Sequence, residues 1–124
     1  MSDIAHFFSP VQTSELLNGV GLRPTMFGKN FSIHEQHFPD LENIDIALIG
    51  VCEDRRAITN VGSSAAPDEI RKHLYQLFPG GFTPRIADLG NILPGFEVDD
   101  TYFALSSFLH SRNCWRISRR TSYT

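Results

Sequence analysis

Ile44-Asp45-Ile46-Ala47-Leu48-Ile49-Gly50-Val51 is nearly continuous in apolar and β-branched residues, with a single charge near its start. An amphipathic strand would alternate and an amphipathic helix would repeat every three to four residues. A short unbroken run of this kind fits a strand covered on both faces, as in a parallel sheet flanked by helices. A polar loop follows from Cys52 to Ala66. Pro67 then opens a helix, with Asp68 and Glu69 in the first turn where the helix dipole favours acids. Ile70, Leu74, Leu77 and Phe78 recur at helical spacing and are expected to press onto the sheet, until Pro79-Gly80-Gly81 stops the helix. Arg85 to Leu89 forms a second short strand. Strand, crossover helix and strand make one βαβ unit, which closes right-handed in nearly all known cases.

Upstream of this unit, Ser9-Pro10 is expected to start a helix bearing Val11, Leu16 and Leu17, ended by Asn18-Gly19. Residues 19–43 are rich in Gly, Pro, Asn and Phe without a clear period, and read as an aromatic-anchored lead-in. Downstream, Asn91 to Gly95 reads as a turn. Asp99-Asp100-Thr101 reads as a helix start, its adjacent acids acting as caps, with Tyr102, Phe103, Leu105, Phe108 and Leu109 on one face. No internal repeat or low-complexity segment interrupts the chain.

With 124 residues, 41% of them apolar and ten of them Phe, one packed domain is the expectation. Net charge is −3, unevenly spread: residues 1–107 carry seven Lys/Arg against fourteen Asp/Glu, and residues 108–124 carry four Arg and no acid. The acidic body argues against nucleic acid as a partner; Trp115 and the tail arginines are the weak counter-indication. Cys52 and Cys114 lack metal spacing, and Cys52 reads as a small hydrophobe in a reducing compartment. There is no signal-peptide pattern and no apolar window approaching a membrane span, so a soluble cytoplasmic protein is expected.

Three pieces of the chain, in order, resemble the arginase, agmatinase and formimidoylglutamase (ureohydrolase) family. The first runs from Ile49-Gly50-Val51 through Glu53-Asp54-Arg55 to Gly62-Ser63-Ser64-Ala65-Ala66-Pro67-Asp68-Glu69-Ile70-Arg71. The second is Ile86-Ala87-Asp88-Leu89-Gly90-Asn91-Ile92, and the third is Asp100-Thr101-Tyr102-Phe103-Ala104-Leu105. The likeness is strongest to bacterial formimidoylglutamase-like members and covers residues 44–107. It implies a three-layer α/β/α fold of which this chain holds the beginning βαβ unit. It also implies hydrolysis of a C–N bond in a guanidino or formimino substrate by a water bridging paired Mn2+ ions. Asp54, Arg55, Arg56 and Asn60 lie where α/β proteins place their sites, in the loop at the carboxyl end of the first strand. Asp54, Arg55 and Asn60 are the candidate substrate-side residues, and loop salt bridges are the competing explanation. Gly62 and the small residues after it read as a tight turn and helix cap.

The family's metal ligands come from a Gly-Gly-rich His segment, an Asp-Ala-His-x-Asp segment and a Ser-x-Asp-x-Asp segment, and none of the three occurs in this sequence. His34-Glu35-Gln36-His37 with Asp40 is the nearest imitation. Its histidines are three apart instead of four, so a solvated loop is expected there. No catalytic or metal-ligating residue is therefore assigned, and no metal is expected on this chain. The sequence divides into an N-terminal helix and lead-in (1–43), the start of a ureohydrolase-like α/β domain (44–107) and an atypical basic tail (108–124). Permissible codons for His110 through Tyr123, read one nucleotide out of phase, can spell FSELLENKPTYLV, so a frameshift is one explanation of the tail; a natural basic tail is the other. The expectation is an inactive ureohydrolase-type fragment of marginal stability. The alternative is a non-catalytic module that uses an open sheet edge to self-associate or to pair with a full-length homologue.

Overall fold

The computed structural model describes residues 5–59, 62–81, 84–93, 95 and 98–109, the last helix without the side chains of 104 and 107–109. In chain order the elements are β1 (Phe8–Ser9), α1 (Thr13–Leu17), α2 (Phe27–Asn30), β2 (Ser32–Ile33) and β3 (Ile46–Val51). A 3-10 turn (Ser63–Ala65), α3 (Ala66–Leu74), β4 (Ile86–Ile92) and α4 (Val98–Leu109) follow. Among the described residues no helix is long and apolar enough to cross a membrane.

β4 is the hub of a four-stranded mixed α/β sheet. β3 runs parallel beside it over its whole length, β2 pairs in parallel with Ala87 and Asp88, and β1 pairs antiparallel with Asn91 and Ile92. The sequence predicts a parallel sheet of two strands, and the structure corrects this. Ser9 does not start a helix; it lies in β1, and α1 begins at Thr13 with Gln12 at its cap position. The chain around Phe8 is claimed instead by β4, whose continuation donates from Leu93 N to Phe7 O at 2.7 Å. The lead-in likewise contains α2 and β2. Strands of two residues bury too little to leave a local signature and form only because β4 offers its edge.

β4 also runs three residues past the expected end. Its register with β3 shifts between Leu48 and Gly50, where two β4 residues oppose Ile49 alone, and Gly90 in that irregularity has φ +92°. A left-handed residue at a bulge lets the strand bend and continue, which is how the expected turn at Asn91 becomes strand.

The sheet's two faces differ in chemistry. Ala47, Ile49 and Val51 of β3 lie on one face with Ala87 and Leu89 of β4, packed with Phe8, Leu41, Ile44 and Ile92; Leu105 of α4 closes against this cluster. On the other face lies α3, close enough that a Cβ on Gly50 would come within 2.9 Å of Pro67. There the expectation fails. Ile70, Leu77 and Phe78 stay more than half exposed and Leu74 is only partly covered, whereas Arg71 and Tyr75 turn inward and are buried. Both sets have helical spacing and lie about 100° apart on the helix. Asp88, on β4 beneath the helix, selects the polar set. α4 is corrected in the same way: Tyr102 and Phe103 are exposed, and Thr101 and Leu105, one turn apart, face inward.

Candidate functional site

The carboxyl ends of β3 and β4 lie side by side, so the loop after Val51 and the start of α4 share one end of the sheet, the position where open α/β sheets bind ligands. Glu53 enters this corner with its side chain only 2% exposed. Its carboxylate accepts from Arg55 Nε at 2.9 Å and from Thr101 Oγ1 at 2.7 Å, and Arg55 Nη2 donates to Thr101 Oγ1 at 3.1 Å. Thr101 Oγ1 also accepts from Gly95 N at 2.8 Å, which ties the exit of β4 to the same knot. The Arg55 hydrogen bond, aided by that of Thr101, holds the Glu53 carboxyl down at about 2.

Asp54 turns the other way. Its Oδ2 accepts from Gly62 N at 2.7 Å and Ser64 N at 3.3 Å, and these bonds lower its pKa. Asp54 thus caps the 3-10 turn from eight residues upstream of Gly62, which turns the chain there in the left-handed region at φ +97°. Arg56 pairs with Asp99 across the same end at 3.3 Å, both well exposed. Of the candidate residues, the structure brings Asp54 and Arg55 to one corner, while Asn60 lies outside the described residues. Cys52 beside them is half-buried, its thiol pushed up by burial and then by the charge of Asp68, so it is no ready nucleophile.

Beneath α3 lies a second cluster. Asp88 is fully buried, and both its oxygens are filled: Oδ1 accepts from Arg71 Nη2 at 2.9 Å and Gly90 N at 3.1 Å, Oδ2 from Arg71 Nε at 2.8 Å and Tyr75 OH at 2.6 Å. Arg71 also donates to the Gly90 carbonyl and to Asn91 Oδ1. Burial works against the Arg71 cation, yet the bonds and charge of Asp88 outweigh it and raise the pKa; burial and then Asp88 push the Tyr75 phenol far up. Asp88, Arg71 and Tyr75, hydrogen-bonded to one another, make a clamp between helix and strand. An acid within the apolar run Ile86-Ala87-Asp88-Leu89, preceded by Arg71 and Tyr75 four residues apart, is the sequence signal for this clamp. Glu53 and Thr101 had none of comparable strength.

His34 is buried, not solvated as expected. Its Nδ1 meets the Leu89 carbonyl at 2.9 Å, its ring stands edge-on to Phe38, and its backbone is held by Asp88 and Val11. Among the described residues no three His, Cys, Asp or Glu converge on a point that could hold a metal. Among the described carboxylates at the strand ends, Glu53 is committed to Arg55 and Thr101, Asp54 to the backbone and Asp99 to Arg56, so these three do not fit a paired-ion cage. A 540 Å3 cavity lined by Phe27, Phe31, Phe78 and several prolines lies near Pro84, at the opposite, amino end of β4.

Because its folded pKa is depressed, Glu53 contributes stability that is present above the ordinary 4.5 and lost as pH falls toward about 2. Glu53→Gln is expected to be less stable than the parent chain at neutral pH, with the gap closing across that window. Urea melts at several pH values check this; a gap independent of pH would mean the carboxylate is not held ionised.

Comparison of the chain with protein-family models, with curated proteins and with solved structures finds no match.

Proposed function

We propose that the chain carries the opening strand–helix–strand unit of a ureohydrolase-type α/β/α domain and has no hydrolase activity of its own. One observation carries the proposal: the first two of the resembling pieces lie on β3, its loop, α3 and β4, paired in parallel as the start of such a domain requires. An intact relative would cleave a C–N bond of a guanidino or formimino substrate with paired Mn2+ ions. Among the described residues Glu53, Asp54 and Asp99 are engaged elsewhere, which supports an inactive chain, and no catalytic step is assigned to them. Asp54 and Arg55 are proposed as the substrate-side loop, with Asp54 shaping it through Gly62 and Ser64. The purified chain with Mn2+ is expected to release neither urea from guanidino substrates nor formamide from formimino ones. Turnover by protein free of contaminating hydrolase refutes the proposal.

A second reading, a non-catalytic module acting through a sheet edge, is favoured by one feature of β3. Among the described residues it pairs with β4 alone, which leaves its other edge without a strand.

A further inference from the structure

An open cavity of 450 Å3 lies on the side of β4 away from β3, between α1 with the residues after it and the stretch from α2 through β2. Leu17, Leu22, Phe31 and Ile33 give it apolar walls, and Lys29 and Glu35 bring a charge of each sign to it. We propose that it binds a free α-amino acid with a large apolar side chain, the ligand carboxylate on Lys29 and the ligand ammonium on Glu35. The proposal rests neither on the ureohydrolase likeness nor on the corner that holds Glu53.

Hydrogen bonds within the chain set the walls before any ligand arrives. Phe27 N donates to the Leu77 carbonyl and Gly28 N to the Tyr75 carbonyl, each at 2.9 Å, which fastens α2 to the end of α3. Gly28 permits the close approach, since a Cβ there would come within 2.6 Å of Leu22 Cδ1 and 2.8 Å of Tyr75 Cβ. Phe31 stands edge-on to Tyr75, the ring centroids 5.8 Å apart. On the far side Val11 N donates to the His34 carbonyl at 2.8 Å and Thr13 Oγ1 donates to Glu35 Oε1, tying the approach to α1 to the residues after β2. A cavity of this size, walled by apolar side chains with a few polar groups, has the usual form of a small-molecule site. Walls already in place spare the ligand the cost of ordering them.

The charges select the ligand. Among the described residues no carboxylate pairs with Lys29 and no cation pairs with Glu35, whose bond from Thr13 engages one oxygen without neutralising the charge. An apolar anion is attracted by Lys29 and repelled by Glu35, and an apolar cation meets the reverse. A ligand with both charges is favoured by both residues. An α-amino acid carries its ammonium and carboxylate on one carbon, and the flexible four-carbon stem of Lys29 brings the cation to it. The ligand side chain then covers the apolar walls, where an aromatic ring gains an edge-to-face contact with Phe31.

Calorimetric titration of the full chain with L-phenylalanine, phenylpropionate and phenethylamine tests this. L-phenylalanine is expected to bind about ten-fold tighter than either singly charged analogue, the loss of a single charge-assisted contact. Lys29→Met and Glu35→Gln, both at exposed positions, should each weaken phenylalanine by a similar factor and preserve the circular dichroism spectrum. Glu35→Gln should also abolish the discrimination against phenylpropionate, and Lys29→Met that against phenethylamine. No binding of L-phenylalanine up to its solubility limit overturns the proposal. So does an analogue that binds the parent chain as tightly, or a substitution that leaves the order of the three ligands unchanged.

Discussion

Asp88→Ala is expected to cost about 3–5 kcal/mol, the effect of stripping one partner from a buried, hydrogen-bonded ion pair. The Arg71 side chain, 6% exposed, would be left with only Asp68 and neutral acceptors, and Tyr75 would lose the acceptor 2.6 Å from its hydroxyl. Domains of this size are stable by about 5–15 kcal/mol, so the urea midpoint should fall steeply. A companion variant separates pairing from packing. Arg71→Met, Asp88→Leu and Tyr75→Phe together remove every charge and hydroxyl of the clamp, and apolar replacement of a buried pair is often neutral. The triple variant should therefore be more stable than Asp88→Ala alone. If Asp88→Ala melts with the parent chain, α3 is not held to the sheet in this way.

Gly90→Ala is expected to rank second. Gly90 sits at φ +92°, and a Cβ there would lie 2.1 Å from the Ser9 carbonyl oxygen. The obstacle is backbone, which cannot swing aside as a side-chain tip can. Strain of about 1–3 kcal/mol in the left-handed region adds to overpacking of similar size. Relief comes most readily by releasing β1, which is held to β4 by only two residue pairs. Urea melts should show the loss, and hydrogen exchange should show it concentrated at Phe8 and Ser9. Gly21→Ala, where nothing lies within 4 Å and φ is not left-handed, is the control and should change little. Equal losses at the two positions would mean that Gly90 is not under the constraint described.

The run from Ile44 to Val51 determined by itself that a strand lies there, because unbroken apolar and β-branched residues have no other comfortable setting at that length; that all of Ile46–Val51 except Gly50 stays partly exposed was not legible. Gly62 and Pro67 likewise determined the turn and helix start, and Asn18 the end of α1 at φ 46°, because each is a local backbone requirement. That the loop bearing Asp54 and Arg55 lies at the carboxyl end of the sheet was legible because strand direction fixes which end each loop leaves from. Tertiary structure alone decided the rest. α3 carries two inward-capable stripes, and only Asp88 on another element chooses between them, since burying that carboxylate without Arg71 would cost more than leaving Ile70 in water. Glu53 meets Thr101 across 48 positions, His34 meets Leu89 across 55, and β1 and β2 are two residues each. Such contacts depend on what β4 brings near, and no local pattern encodes them.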